Sequence, residues 1–426
     1  MIETTNPENL GLSAQRLQRI SVWMQDQVDR RRLAGLSVAV HRHGGTAFFD
    51  TAGDMDREAG KPVDADTIFR IYSMTKPVTS VAAMMLYERG LFQLDDPLAW
   101  YLPEFRDMQV LIGGDADDPR LRAARQPITI RHLMTHTSGL TYGFMRATAV
   151  DALYRRARVD FPSSDGPDLA GTVRRLAELP LLCEPGSEWN YSVSTDVLGR
   201  LVEVLSGQSL DAFFRERILE PLEMRDTAFG VPPGKIERLA ALYEPEDSPG
   251  LGGVGTAGPE RAAHPPQDRG LKLLEAPGRS RFAAPVRLFS GGGGLTSTMG
   301  DYLRFCRMLL GGGELDGARL LSPRTVAYMS RNHLPGDMAS MGQPRFSEMP
   351  YEGIGFGLGF SVVLDPARAQ TLGTAGEYAW GGAASTAFWV DPEEDLCVVL
   401  MTQLLPSSTY PLRRELRVLT YQSIVD

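Results

Sequence analysis

Strand-like segments at both ends of the chain, separated by helical patterns, constrain the fold more than any other feature. Near the start, residues 36–42 and 46–49 flank a Gly-Gly turn and predict a β-hairpin. Three segments near the end also have strand character: residues 357–364, 384–390 and 396–402. Segments so far apart bury their apolar side chains together when they join one sheet. We therefore predict an α/β (α+β) fold in which both termini build one antiparallel sheet flanked by helices, with a mostly helical domain inserted.

Helix signals are clear at several places. Ser13 is predicted to cap a first helix with one apolar stripe, which ends at Gly35. Thr298-x-x-Asp301 is a possible capping box for a helix that runs to about residue 310. Periodic apolar residues predict three helices in the middle of the chain: residues 171–178, 193–205 and 210–218.

These patterns predict two domains. Residues 1–80 together with residues 290–426 are assigned to the α/β domain, and residues 81–289 to the inserted helical domain. Within the insertion, residues 244–288 are rich in proline, glycine and charged residues and contain few apolar runs. This composition predicts a long surface loop that is either disordered or forms a rim over a site.

Composition excludes several classes of protein. The 426 residues carry a net charge of −9 without a basic run, which argues against a nucleic-acid partner. No apolar run approaches the ~20 residues that span a membrane, and no signal peptide is visible. The three cysteines, at positions 183, 306 and 397, do not suggest a disulfide framework. We expect a soluble cytoplasmic protein and leave its oligomeric state open.

Ser73 and Lys76 form the only Ser-x-x-Lys motif in the chain. On a helix, this spacing puts the hydroxyl and the amine on one face, one turn apart. A serine hydroxyl becomes a good nucleophile only when a neighbouring base takes its proton. Lysine can act as such a base when burial or nearby charge lowers its pKa, whereas arginine stays protonated. The alternative interpretation is an ordinary serine at a helix N-terminus.

Two further motifs follow in the chain, Tyr191-Ser192-Val193 and Trp380-Gly381-Gly382-Ala383. In this order, the three motifs resemble the Ser-x-x-Lys, Tyr-x-Asn and Lys-Thr-Gly boxes of the serine β-lactamase and penicillin-binding-protein superfamily. The segments around residues 94–97, 135–140 and 293–298 look like those of class C members. The second and third boxes depart from the superfamily pattern. In both departures the chain is similar to the class C-like carboxylesterases (family VIII) and the related lovastatin-type acyltransferases.

The resemblance implies roles for the residues of the three motifs. Ser73 would be the nucleophile, with Lys76 and Tyr191 as the base system. The backbone N–H groups of Ser73 and Ala383 would form the oxyanion hole. The resemblance also implies a set of substrate-binding residues: Trp380, Gly381, Gly382 and Val193. Either Lys76 itself takes the proton or a cationic Lys76 favours a tyrosinate at Tyr191, and the sequence does not choose between these two routes.

The implied activity is hydrolysis of short-chain carboxylic esters through an acyl-enzyme, with a small-molecule ester as substrate and possible acyl transfer to alcohols. The alternatives are a β-lactamase or D-Ala-D-Ala-type peptidase, and a non-catalytic binding protein of the same fold. No cofactor is implied. His132 and His136 have the spacing of a zinc helix but lack the glutamate of His-Glu-x-x-His, so no metal is expected and both are taken as structural. Trp189 either lines the cleft or packs.

Overall fold

The computed structural model describes residues 2–159, 166–248, 268–342 and 351–426. Its centre is one eight-stranded sheet in which every neighbouring pair is antiparallel. The strands are β1 Gly35–Arg42, β2 Gly45–Asp56, β3 Lys61–Pro62, β4 Ile354–Phe356, β5 Ser361–Val363, β6 Tyr378–Gly381, β7 Ala387–Asp391 and β8 Leu396–Thr402. Their order across the sheet is β4-β5-β6-β7-β8-β1-β2-β3. The predicted sheet built from both termini is confirmed.

Ten α-helices are described. They are α1 Ala14–Asp29, α2 Thr75–Glu88, α3 Ile130–Met134, α4 Ala149–Ala157, α5 Leu169–Ala177, α6 Ser194–Ser206, α7 Leu210–Phe214, α8 Met299–Leu310, α9 Pro323–Met329 and α10 Leu412–Tyr421. Four short antiparallel strand pairs lie outside the main sheet. They join Phe69–Arg70 to Thr296–Ser297, Gln109–Gly114 to Pro119–Ala123, Leu242–Glu244 to Lys272–Glu275, and Glu314–Leu315 to Ala318–Arg319. No described helix is both long and apolar enough to cross a membrane.

The central strands β1 and β8 are buried along their whole length, because helices cover both faces of the sheet. On one face, α1 and α10 contribute Leu17, Ile20 and Leu416 to a core that includes Val38 of β1. On the other face, α8 packs against β1, β7 and β8. Burial of these apolar side chains contributes roughly 25 cal/mol per Å² of area removed from water, which is the main force holding the two ends of the chain together.

The first helix begins as predicted and ends earlier. The Ser13 hydroxyl accepts a hydrogen bond from the Arg16 N–H and caps α1. The helix stops at Asp29, and Gly35 is the first residue of β1 instead of the helix terminator. A Cβ at Gly35 would lie 2.6 Å from the Asp54 carbonyl oxygen of the neighbouring strand, so close strand approach explains this glycine.

Two predicted elements needed correction, and one strand was not predicted separately. The strand predicted at 357–364 is a strand only at β5, and residues 357–360 form the turn that joins β5 to the preceding β4. The helix predicted at 210–218 is α-helical only as far as Phe214 and continues as a π-helix over Arg215–Leu219. Strand β6 was not predicted separately, although it carries Trp380 and Gly381. The domain boundaries at residues 80 and 290 remain a prediction.

Part of the predicted loop at 244–288 is ordered structure. Residues 249–267 lie outside the described residues. On either side of them, Leu242–Glu244 pairs with Lys272–Glu275. The fully buried Arg70 side chain binds the Glu275 carboxylate, with Nη2 2.7 Å from Oε1, and the Ser280 hydroxyl lies 3.3 Å from its Nε. Of the two alternatives, a disordered loop is therefore wrong for residues 268–288, which a buried cation ties to the core, and a rim over the site stays a prediction.

Candidate active site

Ser73 lies in a single 3₁₀ turn, Tyr72–Met74, that leads directly into α2. The preceding residues Phe69–Arg70 pair with Thr296–Ser297, and this pairing brings the glycine run 291–294 beside the turn. Tyr72 has a φ of +41°, in the left-handed region that a side chain rarely adopts. Such backbone strain is frequent where a fold fixes the position of a functional group.

Lys76 is buried one turn after Ser73, with 2% of its surface exposed. Its Nζ lies 3.2 Å from Ser73 Oγ, 3.0 Å from the Tyr142 hydroxyl and 2.7 Å from the Gly292 carbonyl oxygen. These three oxygens match the three N–H donors of an ammonium group. The carbonyl of Gly292 can only accept a hydrogen bond, so at least one N–H of Lys76 always points at the glycine run.

Tyr191 lies in the loop before α6 and contacts Ser73. Its hydroxyl lies 2.5 Å from Ser73 Oγ, and Lys76 Nζ lies 4.5 Å from the centroid of its ring. Asn190 holds the segment in place, because its backbone N–H donates to the His136 carbonyl and its side-chain amide donates to the Leu140 carbonyl. The structure thus brings Ser73, Lys76 and Tyr191 into mutual contact.

Ala383 follows β6 in a tight turn that lies against the residues before Ser73. The Gly382 N–H donates to the Thr386 carbonyl over 2.9 Å and closes the turn. A Cβ on Gly382 would collide with the Ile71 carbonyl oxygen and with the Thr386 hydroxyl. The absence of a side chain here lets the Ala383 segment approach the chain two residues before Ser73.

The predicted substrate contact of Val193 needs correction, whereas those of Gly381 and Gly382 stay predictions. The Arg413 guanidinium lies where a Cβ on the partly exposed Gly381 would point, and other protein atoms lie at the corresponding position of Gly382. Val193 is fully buried before α6 and packs in the core, where a substrate does not reach. Arg413 donates to the Gly382 carbonyl over 3.0 Å and links this turn to α10.

Trp380 lies beside Tyr191, and its predicted contact with the substrate stays a prediction. Its ring centroid is 5.5 Å from that of Tyr191 and 5.3 Å from that of Phe356. Its indole N–H is buried without a hydrogen-bond partner among the described residues. Trp189, with 6% of its surface exposed, stacks nearly parallel to Tyr191 with centroids 6.4 Å apart. Trp189 and Trp380 therefore both pack against the ring of Tyr191.

Three residues at the site were missed. Tyr142 and Gly292 bind Lys76 directly, and the Asp196 carboxylate accepts from the Gly292 N–H over 3.1 Å and from the Ser290 hydroxyl over 2.6 Å. Burial raises the pKa of the Asp196 carboxyl, while the hydrogen bond from Ser290 and the charge of Lys76 oppose this shift. The sequence signal for Asp196 was an acidic residue within the apolar face of α6.

The two histidines hold structural positions. His132 Nδ1 accepts a hydrogen bond from the Thr129 N–H and completes a capping box for α3. Burial, helped by the charge of Arg131, lowers the pKa of His132 to about 4. His136 Nδ1 lies 3.2 Å from the Ser192 hydroxyl, and burial followed by the charge of Lys76 lowers its pKa well below the usual value.

Comparison with known proteins places this arrangement in a family. The Beta-lactamase family model matches residues 21–422. The chain belongs to the beta-lactamase family. One relative, esterase EstB of Burkholderia gladioli, is 35% identical over 396 residues, and the match covers 90% of this chain and 89% of EstB. Monacolin J acid methylbutanoyltransferase of Aspergillus terreus is 30% identical over 356 residues, covering 81% and 79% of the two chains.

A solved structure agrees over nearly the whole length. It is EstCE1, described as a hydrolase with promiscuous acyltransferase activity, and it superimposes with a TM-score of 0.77 at 28% identity. The match covers 97% of this chain and 99% of EstCE1. The family therefore includes both ester-hydrolysing and acyl-transferring relatives of this chain.

Proposed function

We propose that this protein is a serine carboxylesterase that hydrolyses short-chain esters through an acyl-enzyme and also passes the acyl group to alcohols. The observation that carries the proposal is the position of Ser73 Oγ, within hydrogen-bonding distance of both the Tyr191 hydroxyl and Lys76 Nζ. The relatives named as esterases and acyltransferases support the same reaction class. Within the family, we group the chain with the family VIII carboxylesterases.

In the proposed acylation step, Ser73 Oγ attacks the ester carbonyl carbon while its proton passes to the phenolate oxygen of Tyr191. The carbonyl π electrons move to the oxygen, which the backbone N–H groups of Ser73 and Ala383 stabilise. The C–O bond to the alcohol then breaks, and the departing alcohol takes the proton from Tyr191. Water or a second alcohol attacks the acyl-enzyme in the same way, giving hydrolysis or acyl transfer.

Tyr191 is the better-supported proton acceptor of the two candidates. Lys76 Nζ faces three oxygens, which suits a donor of three hydrogen bonds, and the Gly292 carbonyl among them cannot donate in return. An ammonium group 4.5 Å from the Tyr191 ring centroid favours negative charge on the oxygen of that tyrosine. In this scheme Lys76 supplies charge and orientation, and Tyr191 carries the proton.

The residues at the second and third motifs favour an uncharged ester over a β-lactam. In the β-lactam-directed relatives implied by the sequence resemblance, a lysine and an asparagine supply a cation and a hydrogen bond. Trp380 offers no cation here, and Val193 is buried and apolar. Loss of one charge-assisted and one neutral hydrogen bond weakens transition-state binding by about 2.5–4 kcal/mol, or roughly two to three decades in rate.

The test compares kcat/KM for short-chain p-nitrophenyl esters with that for a chromogenic cephalosporin on one preparation. We expect the esters to be favoured by a factor of about 100 or more. Equal or better values for the cephalosporin would overturn the esterase assignment in favour of a β-lactamase. Intact mass after fluorophosphonate treatment separates an enzyme from a binding protein, because only an activated Ser73 takes up a single adduct.

A cytoplasmic location belongs to the same proposal. Cys306 and Cys397 are buried free thiols, and burial raises the pKa of both, so neither is reactive. Buried thiols without a disulfide suit a reducing compartment. Fractionation of the native host with antibodies against the protein tests this location directly.

A further inference from the structure

The carboxyl of Asp196 binds Gly292, the residue whose carbonyl oxygen binds Lys76. Its Oδ1 accepts the Gly292 N–H, and the carbonyl of the same glycine accepts from Lys76 Nζ at 2.7 Å. One residue of backbone therefore links a buried acid to the buried lysine. Asp196 is 7% exposed and lies in the first turn of α6, where a negative charge is also favoured by the helix dipole.

Glycine is required at position 292 by this arrangement. A Cβ there would lie 2.6 Å from Asp196 Oδ2 and 3.0 Å from the Tyr142 hydroxyl. Gly292 thus lies between the Asp196 carboxyl and the Tyr142 hydroxyl, and both groups face Lys76. The Ser290 hydroxyl donates to Asp196 Oδ1, the oxygen that also accepts from the Gly292 N–H, over 2.6 Å, so the carboxyl holds the turn at two points on either side of Gly291.

We propose that Asp196 is a positioning residue for the esterase reaction: it fixes the Gly292 carbonyl against Lys76 and supplies the negative charge that balances the ammonium group. The hydrogen bonds of the carboxyl go to Ser290 and Gly292. Its effect passes through Gly292 and through the field at Lys76. This inference rests on the proposed roles of Ser73, Lys76 and Tyr191.

The charged and titratable groups around Asp196 are few in the part of the chain that the structure describes. Lys76 faces it from α2, Tyr142 from the segment after α3, and Arg281 from the turn 281–283. Helices α5 and α7 meet α6 near this point with apolar side chains, Leu169 and Leu210. Removal of the carboxylate charge therefore acts mainly on the lysine and on the two tyrosines that it contacts.

The chain offers a matched control. Asp301 is also a buried acid, its pKa is also raised by burial, and it also accepts one backbone N–H and one hydroxyl, from Asp226 and Thr227. It does so at the start of α8, away from Lys76. Asp196→Asn and Asp301→Asn thus remove the same charge from the same kind of donor set, and only the first does so beside the lysine.

We expect Asp196→Asn to lower kcat about tenfold with little change in KM, and to shift the acidic limb of the kcat/KM profile to lower pH by about one unit. Loss of a negative charge favours deprotonation of its neighbours, which gives the direction of the shift. Asp301→Asn should lower the melting temperature without moving the profile. If the two variants show the same profile as wild type, Asp196 is only structural and the inference is wrong.

Ser290→Ala provides a second test that leaves the carboxyl in place, for the case in which Asp196→Asn does not fold. It removes one of the two donors that fix Asp196, and kcat should fall several-fold. An unchanged kcat would also overturn the inference. Fluorophosphonate labelling distinguishes failure of the proposed function from failure of this inference. Absence of an adduct on Ser73 in the wild-type protein defeats the proposed function. Equal labelling rates in wild type and Asp196→Asn defeat this inference alone.

Discussion

The Tyr191 hydroxyl lies 2.5 Å from Ser73 Oγ, although 118 positions separate the two residues along the chain. Two different segments supply the pair: a 3₁₀ turn before α2 and the loop before α6. Helices α2 and α6 pack directly against each other, so the contact between the hydroxyls depends on the helix interface behind them. The position of the reactive pair therefore depends on the packing of α2 against α6.

Replacement of the nucleophile should remove turnover without unfolding the protein. In Ser73→Ala we expect no fluorophosphonate adduct and ester hydrolysis at the level of the buffer, because no other serine has a lysine at this spacing. Ser80→Ala is the control: Ser80 is buried on the same helix and has Ala83 at the matching position. Residual activity of Ser73→Ala within tenfold of wild type, in a preparation free of other esterases, would contradict the assignment.

Lys76→Arg should be nearly as damaging, although the charge is kept. A planar guanidinium cannot place one nitrogen among the three oxygens that surround Lys76 Nζ, so the orientation that the ammonium group gives Ser73 and Tyr142 is lost. We expect kcat/KM for a p-nitrophenyl ester to fall at least 100-fold. Lys235→Arg, at a half-exposed ion pair with Asp226, should behave as wild type. An active Lys76→Arg would mean that positive charge alone suffices at this position.

Tyr142→Phe tests the residue that the sequence did not reveal. The variant keeps the ring that stacks on Phe144 but loses an acceptor of Lys76. A hydrogen bond to a charged group contributes about 1.5–3 kcal/mol, so kcat should fall about 10- to 100-fold. Tyr378→Phe is the matched control, since that buried hydroxyl has no hydrogen-bond partner among the described residues. Equal kinetics for the two variants would remove Tyr142 from the site.

Gly382→Ala should damage activity and stability together. The new Cβ would collide with the Ile71 carbonyl oxygen and push the Ala383 segment away from Ser73. We expect kcat to fall by more than tenfold and the melting temperature to drop by several degrees, as for other overpacked sites. Gly234→Ala, where a Cβ meets nothing within 4 Å, should be neutral in both measurements. A fully active Gly382→Ala would show that this approach is not needed.

His132 should make the fold less stable in mild acid. Its pKa is about 4 when folded and about 6.5 when unfolded, so the unfolded chain binds the proton more readily. The stabilisation is complete above pH 6.5 and is lost as the pH falls towards 4, up to about 3 kcal/mol.

His132→Gln tests this titration, because glutamine preserves the capping contact with the Thr129 N–H and does not titrate. The free energy of unfolding, measured with denaturant at pH 7 and pH 4.5, should fall less in the variant than in wild type. His43→Gln, at a side chain that is 41% exposed, should follow wild type. Parallel losses in wild type and His132→Gln would assign the acid sensitivity to other groups.

The sequence revealed those parts of the site that depend on local spacing. Ser73 and Lys76 share one turn, and strand-like segments near both ends of the chain predicted the sheet. Tyr191 came from the order of motifs and the resemblance they carry. Tyr142 and Gly292 stand 66 and 216 positions from Lys76, and no periodicity connects them to it. Their roles arise only from the folded path of the chain.

Other misses have equally specific causes. Val193 occupies a motif position, but it caps α6 and turns into the core, so motif position did not predict accessibility. Composition predicted a loose segment at 244–288, because the sequence does not show that the buried Arg70 binds Glu275. Short strands such as β6, with four residues of which three are partly exposed, lack the alternation that identifies a strand.

The pairing of β1 with β8 has a consequence for synthesis on the ribosome. Residues 36–42 are made early, but their partners, residues 396–402, emerge only when the chain is nearly finished. Until then β1 and β2 form a hairpin with an exposed edge, which is prone to pairing with other chains. Contacts over such distances form slowly, so a nascent chain depends on protection of this edge. Messages truncated before codon 396 should therefore yield aggregated product, even though the Ser73, Lys76 and Tyr191 codons are all present.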